Sequence, residues 1–224
     1  MPKLMFFCRR PAEITHEAYA EMVLRDHVPL ALRHHPTMRQ YVVNIVDHVP
    51  RGEPDFDSVA ELTFDSMADY SDRADAAQIM QDDAGRILAG ADAYATTQHI
   101  QKEASELPPV GTRSPRVKMV CPIRRRAGMS REDFVDHWLN RHGPLALRHH
   151  PGLVRYVANV VDASLSPDAL QLDGIGELYF ARPEALRDEM FDSPAGEAII
   201  RRDIESFIGH SCGYLVTEYV QKRQ

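Results

Sequence analysis

Apolar and polar positions follow one another in blocks that predict strands and helices in a regular order. Short runs of apolar, β-branched and aromatic residues, which are typical of strands, occur at residues 3–8, 38–48 and 57–64. Between the first two runs, Thr15 can cap an amphipathic helix whose apolar stripe includes Tyr19, Val23, His27 and Leu30. A helical region from Ser66 to about Ala91 then leads to a fourth strand, TTQHIQK.

The same order of elements occurs twice in the chain. Residues 27–36 read HVPLALRHHP and residues 142–151 read HGPLALRHHP, with nine of ten positions identical at an offset of 142 − 27 = 115. The second copy has its cap at Ser130, strands at 118–123, 153–163 and 173–180, and a helical region from Pro183 to about Phe207. A repeat of this length at a fixed offset indicates duplicated structure, and each copy is predicted to be a β-α-β-β-α-β unit of the ferredoxin-like type.

The two copies are predicted to share one α+β body. A ferredoxin-like sheet carries helices on one face only, so its other face needs a cover, and the sheet of the other copy can provide it. We therefore expect a barrel with pseudo-two-fold symmetry, built from residues 1–103 and 117–224 with a linker at 104–116.

Two local features complete the predicted fold. Pro29 and Pro144 predict a kink at Val28 and Gly143, because a residue before proline avoids the helical conformation. Gly85 aligns with Gly196 at an offset of 196 − 85 = 111, whereas the last strands align at 120, which places a loss of length in the first copy just before its last strand.

Composition narrows the classes of function. The net charge of −7 disfavours nucleic acids and anionic membrane surfaces as partners, because both attract basic proteins. The three cysteines have no CxxC spacing, which indicates reduced thiols. The N-terminal apolar run is too short for a signal peptide, and no run reaches membrane-spanning length. We therefore expect a cytoplasmic protein.

The second copy closely resembles the EthD family of the dimeric α+β barrel superfamily. The matching segments are CPIRRRAGMSREDFVDHWLNRHGPL, PGLVRYVANVVD, DGIGELYF and VTEYV, and the first copy shares much of the pattern. Members typically have one such domain and pair as homodimers, so the resemblance implies an intrachain pseudo-dimer that could pair further. EthD-like proteins include dehydratases, decarboxylases and an accessory protein of ether degradation. The superfamily adds isomerases, cyclases, cofactor-free monooxygenases and haem proteins, so the resemblance implies the fold more closely than the reaction.

The candidate catalytic residues belong to the repeated segment and the strand after it. His142 and its counterpart His27 end an apolar helical stripe, where an imidazole can take and return a proton. The alternative is that each histidine caps carbonyl groups at the kink. His149 is a further candidate, although it and His150 are adjacent, so at most one of them can face a given pocket. Tyr156 could orient a substrate carbonyl or phenol, or could be part of the core.

The candidate substrate-binding residues are Asn159, Trp138, His137, Glu177, Tyr41 and Asn44. The two-residue period of a strand places Tyr41 and Asn44 on opposite faces, so they are not expected to share a cavity. Glu177 and its counterpart Glu61 lie inside strands on the covered face, where a carboxylate needs a partner such as arginine or histidine. A structural carboxylate is favoured there over a general base.

No metal or other cofactor is predicted. The chain has no HExxH motif, no glycine-rich phosphate loop and no Gly-x-Ser-x-Gly motif, and a haem site rests on superfamily analogy alone. We expect a proton-shuttling lyase or isomerase that dehydrates, decarboxylates or isomerises a small, apolar, oxygenated or aromatic compound of catabolic or polyketide type. The alternatives are a non-catalytic accessory protein of an oxygenase pathway and a cofactor-free or haem-dependent monooxygenase.

The copies are not expected to be equivalent. His137 and Trp138 of the second copy become Met22 and Val23 in the first, and Gly143 becomes Val28. Because the second copy keeps the EthD-like pattern, we predict that it holds the better site.

Overall fold

The computed structural model describes residues 1–49, 55–71, 74–104 and 106–224, apart from the side chains of residues 74 and 75. Residues 72 and 73 of the predicted first-copy helical region, and residue 105 of the predicted linker, lie outside the described residues. Both β-α-β-β-α-β units are present within these ranges, as predicted. None of the described helices is long and apolar enough to cross a membrane.

The elements fall close to their predicted positions. The strands are β1 Lys3–Arg9, β2 Gln40–His48, β3 Ser58–Thr63, β4 Gly90–Lys102, β5 Thr112–Arg113, β6 Val117–Arg125, β7 Leu153–Ser164, β8 Gly174–Phe180, β9 Ile208–Ser211 and β10 Tyr214–Arg223. The helices are α1 His16–Met22, α2 Val28–His34, α3 Ala68–Ser71, α4 Ala74–Ile87, α5 Arg131–His137, α6 Gly143–His149, α7 Pro183–Asp188 and α8 Pro194–Phe207. Thr15 and Ser130 cap α1 and α5 through their side-chain oxygens.

The expectation that Val28 and Gly143 leave the helical conformation was wrong, because both have helical backbone angles and the helix instead widens locally just before them. Residues Val23–His27 join α1 to α2 as a π-helical turn, in which the Val28 N–H donates to the Val23 carbonyl five residues earlier. Trp138–His142 does the same between α5 and α6. Proline has no N–H to donate, and a π turn is one way for a helix to continue past it. Each π turn ends at one of the candidate histidines.

Eight of the described strands close into one antiparallel barrel, in the order β10-β2-β3-β1-β4-β7-β8-β6 and back to β10. The last strand of each copy makes the closure. Strand β4 pairs with β1 of its own copy and then with β7 of the other copy, and β10 pairs with β6 and then with β2. Both edge strands of each copy's sheet pair with strands of the other copy. The barrel therefore depends on both copies.

The predicted site of the length difference was wrong. Helices α4 and α8 each have 14 residues and are related by 194 − 74 = 120, the same offset as Tyr94 and Tyr214 in the last strands. Glu61 and Glu177 in the third strands are related by 177 − 61 = 116. The four-residue difference therefore lies between the third strand and the long helix. The match of Gly85 with Gly196 was misleading, because these residues lie at opposite ends of their helices.

A network of buried charges crosses the centre of the barrel. The Lys3 ammonium contacts Glu61 at 2.7 Å and also Glu177, while the Lys118 ammonium contacts Glu177 at 2.8 Å and also Glu61. These four side chains are at most 5% exposed, and we call them the charge box. Each lysine joins a glutamate of its own copy to one of the other copy. The predicted partner of the glutamates, arginine or histidine, was therefore wrong.

The asparagines on the inward face of the barrel hold the glutamates of the charge box. Asn44 donates to Glu61 and Asn159 donates to Glu177, both at 2.7 Å. Tyr179 donates to the second oxygen of Glu177 at 2.7 Å. Tyr41, in contrast, packs with the helix-side core of the first copy. The prediction that Tyr41 and Asn44 face opposite sides of the strand is confirmed.

Replacing Lys118 with methionine should strongly destabilise the chain. The change leaves one lysine opposite two buried glutamates and Glu218, whose carboxylate lies 3.3 Å from the Lys118 ammonium. An unpaired buried charge typically costs about 3–5 kcal/mol. Denaturant unfolding of Lys118→Met should lower the free energy of unfolding by that amount. The control Lys222→Met, which loses an exposed contact to the Pro36 carbonyl, should change it by less than about 1 kcal/mol. Equal effects of the two substitutions would show that the charge box does not stabilise the barrel.

Stability should fall in acid because of the same network. Burial alone would raise the pKa of Glu177, but Lys118, Lys3 and Arg155 outweigh it and hold this pKa well below the ordinary 4.5. A lowered pKa in the folded state adds stability that is complete above pH 4.5 and is lost as the pH falls through the folded-state pKa. Unfolding measured from neutral pH downwards should therefore show a decline below about pH 4.5, and the decline should be shallower in Glu177→Gln. Parallel curves for the two proteins would contradict this.

Candidate functional site

A cavity of about 420 Å³ lies between the first-copy helices and the outer face of the sheet. Most of its walls are apolar. They are formed by Phe6, Cys8, Ala60 and Leu62 of the sheet, by Ala31 of α2, by Tyr70 of α3, and by Ala77, Met80 and Ala84 of α4. His27, His35 and Tyr41 add polar groups, and the rings of His35 and Tyr70 stack at 5.9 Å. Such a site suits a small, largely apolar molecule that carries a few polar groups.

His27 forms a dyad with an aspartate of α4. Its Nδ1 lies 2.7 Å from Oδ2 of Asp83, and its Nε2 has no hydrogen-bond partner within the described ranges. Burial alone would raise the pKa of Asp83, but hydrogen bonds from Arg86 and His27 outweigh it and hold the pKa below its usual value. The carboxylate therefore favours the imidazole form with the proton on Nδ1, which leaves the lone pair on Nε2.

Tyr41 places a hydroxyl group at the same cavity. The residue is 1% exposed, and its hydroxyl makes no hydrogen bond to any described residue. Burial, together with the nearby Cys8 and Asp83, raises the pKa of Tyr41 far above its ordinary value. The phenol therefore stays neutral and can donate a hydrogen bond to a ligand oxygen. His27 and Tyr41 together give the apolar cavity a proton acceptor and a proton donor.

The second copy has the equivalent dyad with one more histidine. Nδ1 of His142 lies 2.8 Å from one oxygen of Asp203, and Nε2 of His137 lies 2.8 Å from the other. Burial alone would raise the pKa of Asp203, but the two histidine hydrogen bonds hold it below its usual value. Both imidazole rings pack on Phe207, with ring centroids 4.6 and 5.1 Å away.

Trp138 distinguishes the tyrosine environments of the two copies. Its indole N–H donates to the Tyr156 hydroxyl at 2.7 Å, whereas the first copy has Val23 at this position. The indole needs Gly174 beneath it, because a Cβ atom there would lie 2.2 Å from the Trp138 ring. The prediction that the second copy holds the better site stays a prediction. The cavity and the unpaired Tyr41 hydroxyl favour the first copy.

The adjacent histidines at the end of α6 contact different partners, as expected. Nδ1 of His149 lies 3.0 Å from Asp192, and the His150 ring bonds to the Met190 carbonyl. Burial is the largest influence on His150 and lowers its pKa. His149 is therefore an ion-pair partner of the loop after α7, separate from Asp203 and its two histidines.

Three predicted binding residues lie away from the helix-side cavity. Asn44, Asn159 and Glu177 point into the barrel, where they form part of the charge box or hold it in place. The asparagines also donate to the carbonyls of Val59 and Ile175 on the neighbouring strands. This environment assigns all three residues to the barrel interior.

The sequence interpretation missed Asp83 and Asp203, and with them Arg86. The two aspartates are related by 203 − 83 = 120, the offset of the long helices and last strands. The alignment of Gly85 with Gly196 hid this match, because it shifts Asp203 out of register with Asp83. If the offset of 120 between the last strands is applied to the preceding helices, Asp83 aligns with Asp203.

Within the described part of the chain, no group of three or more His, Cys, Asp or Glu side chains has an arrangement that could hold a metal ion. The histidine ring nitrogens that lie near aspartates instead form hydrogen bonds with the aspartate carboxylates. The arrangement suits proton transfer, since each dyad offers a carboxylate-oriented imidazole.

Several solved structures have a similar fold. An anthrone oxidase-like protein is 12% identical with a TM-score of 0.63, covering 98% of this chain and 92% of that one. A putative monooxygenase from Lactobacillus acidophilus NCFM is 10% identical with a TM-score of 0.57, covering 99% and 97%. A mutant chlorite dismutase from Candidatus Nitrospira defluvii, solved with cyanide, is 13% identical with a TM-score of 0.53, covering 97% and 90%. At these identities the likeness establishes the fold alone.

Sequence comparison gives a more specific result. No curated protein matches the chain. The family model described as the EthD domain matches two segments, residues 11–98 and 126–211. These segments contain both dyads, both π turns and most of the barrel. The chain therefore belongs to the EthD family, and it carries the EthD domain twice.

Proposed function

We propose that the first-copy cavity is the active site of a cofactor-free oxygenase that acts on a small, neutral, aromatic molecule with an acidic C–H group. His27 takes the proton, Tyr41 donates to the substrate oxygen on which negative charge develops, and the resulting carbanion reacts with dioxygen. The observation that carries this proposal is the His27–Asp83 dyad at the wall of an apolar cavity, with Nε2 unpaired within the described ranges.

The reaction balances without an external reductant. Nε2 of His27 removes one proton from a CH₂ group, and the carbanion transfers electrons to O₂ as a C–O bond forms. The protonated His27 returns the proton to the peroxide oxygen. The hydroperoxide then loses its remaining C–H proton as the O–O bond breaks, which leaves a ketone and one water molecule. The CH₂ carbon is oxidised and O₂ is reduced.

The cavity walls support a neutral substrate. No lysine or arginine occurs among the described residues that line the cavity. A carboxylate inside an apolar site would need such a partner, because an unpaired buried charge is costly. Decarboxylation, and isomerisation of an acid-bearing lactone, are therefore less well supported than chemistry on a phenol, ketone or anthrone.

Relatives in fold also favour an oxygenase over the expected lyase or isomerase. The solved structures include putative monooxygenases and an anthrone oxidase-like protein. Proton abstraction by His27 would begin either kind of reaction, so the dyad is compatible with both. The step that separates them is the consumption of dioxygen.

A haem-dependent oxygenase is the competing proposal. His27 would hold the haem iron, since its Nδ1 is held by Asp83 and the residue lines the cavity, and the haem would supply the activation of dioxygen. The described walls provide no cationic side chain for the two haem propionates, so the residues do not fit this group well. Purified protein that retains a stoichiometric haem absorption band would overturn the cofactor-free mechanism.

The histidines of the two copies provide matched tests of the active site. With anthrone as the probe, the wild-type protein should consume one O₂ per ketone formed, measured with an oxygen electrode and by incorporation of ¹⁸O from ¹⁸O₂. His27→Gln should lower turnover by roughly 10²–10⁴-fold, as expected for loss of a general base. His142→Gln should lower turnover by less than about tenfold, because His142 belongs to the other copy.

Unfolding measurements on both variants control for misfolding, and each should remain within about 2 kcal/mol of wild type. A larger loss in His142→Gln than in His27→Gln would move the active site to the second copy. Product formed at the same rate without oxygen would support the lyase or isomerase reaction. Anthrone bound without conversion by the wild-type protein would support the accessory role.

A further inference from the structure

The second carboxylate oxygen of Asp83 is bound by a residue outside the cavity. Nη2 of Arg86 donates to Oδ1 of Asp83 at 2.8 Å, while Oδ2 lies 2.7 Å from Nδ1 of His27. Arg86 is not among the residues that line the cavity. We infer that Arg86 is a positioning residue, which fixes the Asp83 carboxylate and, through it, the tautomer and orientation of His27. This inference rests on the proposed role of His27 as the proton acceptor.

The second copy holds its aspartate in another way. Oδ1 of Asp203 meets Nε2 of His137 at 2.8 Å, and the position equivalent to Arg86 is Ser206 (206 − 86 = 120). The position equivalent to His137 is Met22 (137 − 22 = 115). Each copy therefore supplies one side chain for the second oxygen, from a different helix. Two independent solutions to one geometric requirement indicate that binding this oxygen is a function of the site.

Both hydrogen bonds are needed to fix the carboxylate plane. Rotation about the last torsion of an aspartate is broad, so a single hydrogen bond leaves the second oxygen free to turn. With both oxygens bound, Oδ2 stays directed at Nδ1 of His27. Arg86 itself is 52% exposed, and an exposed ion pair of this kind contributes little stability. Its loss should therefore affect the dyad more than the fold.

Arg86 is the only permanently charged cation among the described residues that act on the His27–Asp83 dyad. Asp26 lies close enough to influence Arg86, and Cys8 and Asp83 lie close enough to influence Tyr41. Cys8 is a buried neutral thiol, because burial raises its pKa to about 12, and Tyr41 is a neutral phenol. Among the described residues, the Arg86 guanidinium is the one permanently charged donor to Asp83.

The test uses substitutions taken from the other copy. Arg86→Ser introduces the residue found at position 206, and the double variant Met22→His/Arg86→Ser transfers the second copy's arrangement. Nitrogen-15 NMR of the imidazole, assigned with His27→Gln, reports the His27 tautomer without a substrate. The minor tautomer, with the proton on Nε2, should rise about fivefold in Arg86→Ser, the effect of one lost hydrogen bond. Arg86→Lys and the double variant should restore most of the wild-type ratio.

Kinetics with anthrone add a second readout. Arg86→Ser should lower kcat about tenfold, as when an outer partner of a functional histidine is lost, with KM unchanged because Arg86 does not line the cavity. A wild-type His27 tautomer ratio and wild-type kcat in Arg86→Ser would overturn the inference and leave the proposed function standing. A changed tautomer ratio in a protein that never consumes O₂ with anthrone would support the positioning role and overturn the proposed function.

Discussion

The barrel depends on four buried charges that belong equally to the two copies. Lys3 and Lys118 each bridge Glu61 and Glu177, so every ion pair within a copy is matched by one between copies. Burying four charges is costly, and their mutual pairing and the hydrogen bonds from Asn44, Asn159 and Tyr179 offset that cost. A copy without its partner would leave a lysine and a glutamate with half of their contacts, so the charge box favours the closed barrel over separate domains.

The outer face of the closed barrel supports the helices that carry the candidate catalytic residues. Strand β1 packs between β3 and β4, and its outward residues Phe6 and Cys8 form the floor of the cavity. The π turn ends at His27, where the helix meets α4 and the imidazole reaches Asp83. The polar side chains are thereby divided between two regions of the structure. The barrel interior holds paired charges, whereas the helix side holds an imidazole and a phenol next to apolar walls.

Local pattern in the sequence was sufficient to predict the repeat, the order of elements and the opposite directions of Tyr41 and Asn44. These features follow from strand and helix periods and from a long identity at a fixed offset. The lysine partners of the glutamates were not predicted, since they lie 57 and 174 positions apart and meet only when the barrel closes. Asp83 was missed because a glycine match set the wrong register for the helix. The role of Trp138 depends on its packing over Gly174, which periodicity does not report.

If His27 and Tyr41 act on the substrate, the first-copy cavity must bind it. A crystal structure of the full chain with a neutral aromatic ketone such as anthrone, bound under anaerobic conditions, tests this directly. The ligand should lie between α2, α4 and the outer face of β1 and β3, with its oxygen within hydrogen-bond distance of the Tyr41 hydroxyl and its acidic carbon facing Nε2 of His27. A ligand bound beside His142 or inside the barrel, with the first-copy cavity empty, would show that the site lies elsewhere.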